Sequence, residues 1–274
     1  MRFYYVKLHG AGNSYVYAEA CDLPPEGRWP AVARAVSDAA TGLGGDGLVV
    51  VGSDPEGTWS MRIFNRDGSE AEFCGNGVRA LGKYLFDRGR VGRHFSVTTR
   101  AGPVRLAVLQ TRGRRAQTLS VAVRRPRVLD TASPFPVTVA GEELRLWRVN
   151  AGNPHAVLFG SGRLPAHTWL RRVGREVSVH PVFLGGVNFH AAAVRSAEDV
   201  RVWHFERGSG ETRACGSGAL AVWAAGQTAG VLAPRVCVRT PGGVLQVEAL
   251  PDDEVLLSGP AREISHGWFV GPGV

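Results

Sequence analysis

The stretch EAEFCGNGVRAL (residues 70–81) is matched far downstream by the stretch ETRACGSGALA (residues 211–221). Each stretch places one cysteine at the start of a Cys-Gly-x-Gly turn, and an apolar run rich in alanine, leucine and valine follows. A small polar turn that opens a helix leaves free backbone N–H groups at the helix start. The sequence therefore predicts that Cys74 and Cys215 each lie at the positive end of their own helix.

The two stretches belong to an internal repeat. Five segments recur in the same order at an offset of 140 or 141 residues, one of them being 97–104 with 237–244. Repetition at a fixed offset indicates two copies of one structural unit. We therefore predict two pseudo-symmetric domains that share one fold.

The boundaries follow from where the repeat starts and stops. The polar segment 110–117 is the best candidate for a linker, which gives an N-terminal domain of residues 1–117 and a C-terminal domain of 118–264. The tail 265–274 has no counterpart at the end of the first repeat, so we expect it to pack on the N-terminal domain.

Strands dominate the predicted secondary structure. Apolar runs such as 48–51 and alternating segments such as 119–123 are typical of strands. Helical periodicity is confined to a few segments, namely 29–40, 77–87 and 218–226. The fold class is therefore α+β, with a curved, mainly antiparallel sheet or barrel around a central helix in each domain.

Composition excludes several classes of protein. The chain has 274 residues, 44% hydrophobic content and no apolar run near the ~20 residues of a membrane helix. Its first residues lack the features of a signal peptide, so a cytoplasmic location without membrane partners is expected. Lys7 and Lys83 are the only lysines, and neither has the setting of a lysine that binds pyridoxal phosphate.

The net charge of +8 comes almost entirely from arginine. Arginine clusters could bind nucleic acid, but no nucleic-acid motif accompanies them, and a general arginine bias on the surface explains them better. We therefore expect no nucleic-acid partner and keep a non-catalytic nucleic-acid-binding protein as a distant alternative.

Two thiols at helix starts suit general acid–base catalysis. A helix N-terminus favours a thiolate and also binds a carboxylate. One thiolate can remove the proton α to a carboxylate while the other cysteine, as a thiol, returns a proton from the opposite face. Such a reaction needs neither a metal nor a cofactor. Cys21 and Cys237 have no comparable setting and are expected to be structural.

Further polar residues lie beside the glycine turns or just before the cysteines. Arg207 is suited to a second carboxylate, and asparagine amides can serve either a carboxylate or an ammonium group. The candidates for substrate binding are Asn13, Asn65, Asn153, Asn188, Glu206 and Arg207.

The motifs HGAGN (residues 9–13), FNRDGS (64–69), FCGNGVR (73–79), GNPH (152–155) and ERGSGETRACGSG (206–218) resemble those of the diaminopimelate epimerase family. The resemblance implies a pseudo-symmetric two-domain fold, an active site in the cleft between the halves, a homodimer, and a role in lysine and cell-wall precursor synthesis. It also implies that Cys74 and Cys215 are the acid/base pair. The backbone near four residues would hold the reacting carboxylate, namely Gly75, Asn76, Gly216 and Ser217.

The resemblance also divides the substrate-binding residues. It places Asn65, Asn188 and Arg207 on the distal end of the substrate, and His155 and Gly47 are candidates for supporting positions. The expected function is interconversion of LL- and meso-diaminopimelate without a cofactor.

Three departures from the family pattern leave a second function open. The usual Gly-Asn-Asp-Phe reads GNSY (12–15), Gly47 stands where some members carry glutamine, and FHA (189–191) follows Asn188 where the family usually has a phenylalanine three residues on. A racemase of the same fold that acts on another amino acid is therefore the alternative.

Overall fold

The computed structural model describes residues 1–139 and 141–271 and divides them into two compact units. The first unit contains Met1–Ala122 together with the chain from Gly259 onward, and the second contains Val123–Ser258. The last three residues of the predicted tail, 272–274, lie outside the described residues. The segment 110–117, which the sequence predicts as a linker, is instead the tip of a β-hairpin in which Arg112 pairs with Arg115. Gly113 lies in its turn with a positive φ of 58°, a conformation that glycine adopts readily.

The first unit begins with two paired strands and then alternates helices with strands. Its elements are β1 (Arg2–Gly10), β2 (Asn13–Glu19), short 3₁₀ helices at Ala20–Asp22 and Glu26–Arg28, α1 (Trp29–Ser37), β3 (Gly47–Ser53), β4 (Trp59–Asn65), β5 (Glu70–Ala71), α2 (Gly75–Asp87), β6 (His94–Thr99), β7 (Gly102–Arg112) and β8 (Arg115–Arg124).

The second unit repeats this order. Its elements are β9 (Arg127–Val128), β10 (Phe135–Val139), β11 (Glu142–Asn150), β12 (Pro154–Ser161), α3 (His167–Ser178), β13 (Asn188–Ser196), β14 (Asp199–Glu206), β15 (Gly210–Thr212), α4 (Gly216–Thr228), β16 (Arg235–Thr240), β17 (Gly243–Ala249) and β18 (Glu254–Val270). The unit boundaries fall inside β8 and β18.

The repeat predicted from the sequence is confirmed element by element. In the first unit, α1 connects the parallel strands β2 and β3, and α2 lies between the parallel strands β4 and β6. In the second unit, α3 and α4 make the matching connections between β12 and β13 and between β14 and β16. The other described strand pairings are antiparallel. The predicted α+β class and mainly antiparallel sheets are thus correct.

The sequence motifs predict a strand, a Gly-Asn turn and then a helix at the start of each unit, and this order needs two corrections. Each Gly-Asn turn leads directly into a strand, β2 or β12, before the first helix of its unit begins. The amphipathic helix α3 was not assigned to a residue range from the sequence, although its buried face (Leu170, Val173 and Val177) keeps a helical spacing.

The sheet of the first unit surrounds α2. Strand order runs β18–β1–β2–β3–β4–β6–β7–β8, and β8 also pairs with β18, which closes the sheet into a barrel. α2 contacts β1, β2 and β7 and is buried over most of its length. α1 lies on β3 and β4, where Trp29 and Val32 join a second apolar cluster.

The second unit buries α4 in the same way. α4 contacts β9, β11, β12, β13 and β17, and its side chains are buried on all sides, as is typical of a central helix. α3 packs on β13 and β14 through an apolar cluster that includes Phe189 and Trp203. Among the described residues, no helix is both long and apolar enough to cross a membrane.

Candidate active site

Cys74 is the N-cap residue of α2. Its backbone is extended (φ −145°, ψ 107°), and its Sγ accepts the N–H of Gly77 at 3.4 Å. The sulfur takes the place of the hydroxyl or carboxylate oxygen that usually accepts such an N–H. A half-buried thiol therefore lies at the positive end of a buried helix, as predicted from the motif.

A polar cluster from β2 and the loop before β3 surrounds this thiol. The Cys74 thiol donates to Asn13 Oδ1 at 3.3 Å. The Asp46 carboxylate holds the other end of that amide, because it accepts from Asn13 Nδ2 and from the Ser14 N–H, both at 2.7 Å. Asp46 thus fixes which end of the Asn13 amide faces the sulfur.

Tyr15 completes the cluster. It follows Asn13 by two residues and so lies on the same face of β2, and its hydroxyl hydrogen-bonds with the side chains of Cys74 and Asn13. Burial, with the nearby Cys74 and Asp46, raises the pKa of Tyr15 well above its ordinary value. Tyr15 is therefore a neutral hydroxyl beside the Cys74 sulfur.

A fully buried arginine, the fifth residue of α2, bonds back to the first turn of that helix. Arg79 donates to Gly75 O at 3.2 Å and to Asn76 Oδ1 at 2.5 Å, and its Nε has no partner among the described residues. Burial lowers the pKa of Arg79 to about 10, against the favourable effect of Cys74 and Tyr17. The guanidinium stays charged at neutral pH and favours negative charge on Cys74.

Cys215 caps α4 in the same geometry. Its backbone is extended (φ −129°, ψ 118°), its Sγ accepts the Gly218 N–H at 3.3 Å, and Ser217 Oγ lies 3.5 Å from the sulfur. Cys215 is only 5% exposed. The second cysteine is thus more deeply buried than the first.

The neighbour of Cys215 is a carboxylate. The Glu206 side chain accepts hydrogen bonds from the Cys215 thiol and from Thr212 Oγ1. Burial and the charge of Glu206 raise the pKa of Cys215 well above its ordinary value. Desolvation and the carboxylate thus outweigh the helix N–H groups, which favour a thiolate, and Cys215 is the cysteine whose surroundings favour the thiol.

Two of the predicted asparagines in the second unit have defined amide orientations. Asn153 Oδ1 is 2.7 Å from His155 Nε2, and His155 is fully buried. Asn188 donates through Nδ2 to Pro154 O at 3.3 Å and accepts the Arg207 N–H through Oδ1 at 2.9 Å. Asn188 therefore positions the backbone of Arg207, whose exposed guanidinium donates to Gly185 O.

Asn65 and Gly47, the two remaining predicted positions of the first unit, lie opposite each other on the paired strands β4 and β3. Asn65 ends β4 and donates from its amide to Ser69 Oγ at 3.0 Å within a turn. Gly47 has a positive φ of 155°, and a Cβ there would lie 2.1 Å from Phe64 O, so this backbone has no room for a glutamine without a shift. Gly75 and Asn76 are both buried, and the side-chain oxygen of Asn76 accepts from Arg79.

The chain matches the family model described as diaminopimelate epimerase over residues 5–122 and 147–264. The chain belongs to the diaminopimelate epimerase family. A diaminopimelate epimerase from Desulforudis audaxviator is 39% identical over 97% of this chain and 99% of its own length. One from Moorella thermoacetica is 36% identical over 97% and 99%, respectively. The resemblance inferred from the motifs is confirmed, and with it the predicted enzyme class, an epimerase.

Solved structures of lower identity share the fold. A hydroxyproline epimerase from Agrobacterium vitis superposes with a TM-score of 0.72 at 15% identity and covers 97% of this chain and 92% of its own. A phenazine biosynthesis protein of the PhzF family from Enterococcus faecalis gives 0.70 at 15% identity, over 98% and 100%. At this identity the likeness establishes the fold alone.

Several residues at the candidate site were not identified from the sequence. Arg79 stands inside the first cysteine motif, and the residue at the same position of the second motif is Leu220. This difference between the two copies could have identified Arg79 from the sequence. Tyr15 was noted only as a departure from the family pattern. Asp46 had no signal beyond its place in a glycine-rich turn, and the contacts of His190 and His204 depend on strand register.

Proposed function

We propose that this protein is a cofactor-independent epimerase that interconverts LL- and meso-diaminopimelate in lysine and peptidoglycan precursor synthesis, with Cys74 and Cys215 as its acid/base pair. One observation carries the proposal: in a chain of this family, each cysteine caps a buried helix and accepts an N–H of that helix through its sulfur. Such a position gives a proton-transfer group and a carboxylate-binding helix start in one turn.

The proposed reaction begins with a thiolate that removes the α-proton. The C–H bond breaks, the proton moves to sulfur, and the electron pair is delocalised into the substrate carboxylate. The backbone N–H groups at the two helix starts, near Gly75, Asn76, Gly216 and Ser217, stabilise that developing charge. The thiol of the other cysteine then forms the new C–H bond on the opposite face, so that the configuration inverts and nothing is oxidised or reduced.

The surroundings of the two cysteines favour different proton-transfer roles. Buried beside the Glu206 carboxylate, Cys215 is a thiol and can donate a proton. Cys74 donates its proton to Asn13 in the structure, and the buried guanidinium of Arg79, which bonds to the first turn of α2, favours the loss of that proton. We therefore assign the first base to Cys74 and the first acid to Cys215, with Glu206 as the group that accepts the Cys215 proton when the reaction runs in reverse.

The distal end of diaminopimelate carries a second carboxylate and an ammonium group. Arg207 is suited to that carboxylate because a guanidinium can donate two parallel hydrogen bonds, and Asn188 supports it by holding its backbone N–H. Asn65 is proposed to contribute from the first unit. Asn13 and Asn153, beside Cys74 and His155, are proposed to bind the reacting end.

The substrate alternative is tested with a panel. Purified enzyme is incubated with LL-diaminopimelate, meso-diaminopimelate and several mono-carboxylate amino acids in heavy water, and the products are resolved by chirality and mass. The proposal predicts epimerisation of diaminopimelate with deuterium at the inverted α-carbon. Activity on a mono-carboxylate amino acid with none on diaminopimelate would instead establish the racemase.

A cytoplasmic location and a homodimer complete the proposal. Both rest on membership of the family. Light scattering on the purified protein should give a mass about twice that of the 29.3 kDa chain. A monomer at all concentrations would contradict the dimer.

A further inference from the structure

Three buried histidines of the second unit form a continuous hydrogen-bonded chain. His204 Nδ1 lies 2.8 Å from His190 Nδ1, and His190 Nε2 lies 2.7 Å from His155 Nδ1. His155 Nε2 lies 2.7 Å from Asn153 Oδ1. The side chains come from β14, β13 and β12, three neighbouring strands, and His190 is paired directly with His204. This series of hydrogen bonds therefore leads from the interior of the unit to the side-chain amide of Asn153, a candidate substrate-binding group.

The proposed reaction has no use for two of these histidines. His190 and His204 are completely buried, and buried polar side chains are retained when their hydrogen bonds are satisfied. The described residues contain no group of histidine, cysteine or acidic side chains arranged to hold a metal ion. Because the three rings are joined directly by hydrogen bonds, the tautomer of each histidine depends on the tautomers of its neighbours.

All three rings are neutral. Burial lowers the pKa of His155 and of His204 to about 3, and burial with the two flanking rings lowers that of His190 well below its ordinary value. A neutral imidazole has one N–H donor and one acceptor nitrogen. Each ring in the chain therefore donates to one neighbour and accepts from the other, and all the N–H bonds point the same way.

The far end of the chain decides the direction. His204 Nε2 is buried and has no hydrogen-bond partner among the described residues. If the N–H bonds pointed toward His204, that atom would be a buried N–H without an acceptor, which is rarer in proteins than an unpaired acceptor. The N–H bonds therefore point toward Asn153, with Nδ1–H on His204 and Nε2–H on both His190 and His155.

We propose that His204, His190 and His155 form a one-way series of N–H donors that fixes the amide of Asn153 with its oxygen inward and its NH2 group toward the substrate. This inference rests on the proposed function, in which Asn153 binds the reacting end of the substrate. An amide NH2 donates and does not accept. Asn153 is then a residue that selects a carboxylate and not an ammonium group.

His190 also links this series to the reactive cysteine. A Cβ on Gly218 would lie 2.5 Å from His190 Cε1, so the ring lies directly against the first turn of α4. The N–H of Gly218 is the donor to Cys215 Sγ. The same ring thus supports the Asn153 amide on one side and the cap of Cys215 on the other.

Nitrogen-15 NMR of the free enzyme tests the direction of the series without reference to activity. The expected tautomers are Nδ1–H on His204 and Nε2–H on His190 and His155, with His94→Asn, an exposed site in the first unit, as an assignment control. The opposite tautomers, or a doubly protonated ring at neutral pH, would overturn the proposal.

Kinetics of Asn153→Asp tests which amide group faces the substrate. A carboxylate there can accept from His155 but must turn its other oxygen toward the substrate, so we expect KM to rise about 10- to 100-fold with a smaller change in kcat. An unchanged or lower KM would mean that the oxygen faced an ammonium group and would overturn the assignment.

Two variants of His204 separate positioning from folding. His204→Leu removes the terminal donor and should raise KM roughly 3- to 10-fold, whereas His204→Asn keeps an N–H donor near the position of Nδ1 and should restore KM to within about twofold. Equal KM values in both variants, with only a lower thermal unfolding temperature, would reduce the series to a structural role. Expected tautomers in an enzyme without any diaminopimelate activity would leave the series standing and overturn the proposed function instead.

Discussion

The first turns of α2 and α4 share their backbone geometry and differ in their charges. In both, an extended cysteine caps the helix and its sulfur accepts the N–H three residues on. Five residues after the cysteine, α2 has the buried and charged Arg79. The residue at the same position of α4 is the apolar Leu220. The second unit has a carboxylate beside its cysteine: Glu206 forms a hydrogen bond with Cys215, and the residue at the same position of the first unit is the neutral Asn65.

This comparison separates the backbone geometry, which the repeated fold provides, from the protonation of each thiol, which depends on the side chains around it. The repeated motif provides a thiol at a helix start in both units, and so the same N–H groups for a carboxylate. The protonation of each thiol depends on nearby charge and burial, which the two copies do not share. The repeat thus gives two equivalent positions, and differences at a few residues give the two thiols unequal surroundings.

Loss of either thiol should have the largest effect. We expect Cys74→Ala and Cys215→Ala each to reduce epimerisation by about 10³-fold or more, because each removes one of the two proton-transfer groups. The rate is measured by chiral separation of diaminopimelate products. The exposed Cys21, changed to serine, is the matched control. Substantial epimerisation by either alanine variant would contradict the proposal that both cysteines transfer protons.

Removal of the carboxylate beside Cys215 should come next. Glu206→Gln should lower kcat about 100-fold in the direction in which Cys215 acts as the base, because Cys215 loses the group that accepts its proton. Since Glu206 raises the pKa of Cys215, its removal should also let the thiolate form at a lower pH. Glu211→Gln is the control, because Glu211 bonds His167 and Trp203 and not the thiol. Equal losses in the two variants would argue against a role specific to the thiol.

Replacement of Arg79 by its counterpart makes the first cap resemble the second. In Arg79→Leu the buried charge is lost, and we expect the acid limb of the kcat/KM profile to move up by roughly one pH unit or more, with about a tenfold loss at neutral pH. Arg79→Lys retains a cation and should shift the limb less. If both variants lose stability and activity equally while the limb stays in place, Arg79 acts through packing alone.

The hydroxyl of Tyr15 should have the smallest effect. Tyr15→Phe removes one hydrogen bond to Cys74 and Asn13 and restores the residue usual in the family, so we expect a loss of roughly 3- to 10-fold in kcat with little change in KM. Steady-state kinetics on both stereoisomers measure it. A loss comparable to that of Cys74→Ala would make Tyr15 a proton-transfer group and would change the assignment.

The sequence predicts the architecture well because the repeat is visible in its motifs. The offset between Cys74 and Cys215 predicts the paired helices, and each cysteine has the cap geometry that its motif indicates. The protonation of Cys215 could not be predicted, because it depends on burial and on Glu206, nine residues earlier in sequence. The histidine series is equally hidden, since it requires the register that pairs His190 with His204. The protonation of a side chain and the register of paired strands both depend on contacts between distant parts of the chain, which a local motif does not contain.

The pH dependence of thiol alkylation tests the unequal roles most directly. Two variants are made, each with the other three cysteines replaced, so that one keeps Cys74 alone and the other keeps Cys215 alone. The rate of reaction with iodoacetamide, which reacts with the thiolate, is followed by mass spectrometry. Because accessibility sets the maximal rate and not the midpoint, the midpoints are compared. We predict that Cys74 is alkylated with a midpoint at lower pH and that Cys215 stays unreactive through the neutral range. Coinciding midpoints, or a lower midpoint for Cys215, would contradict the account.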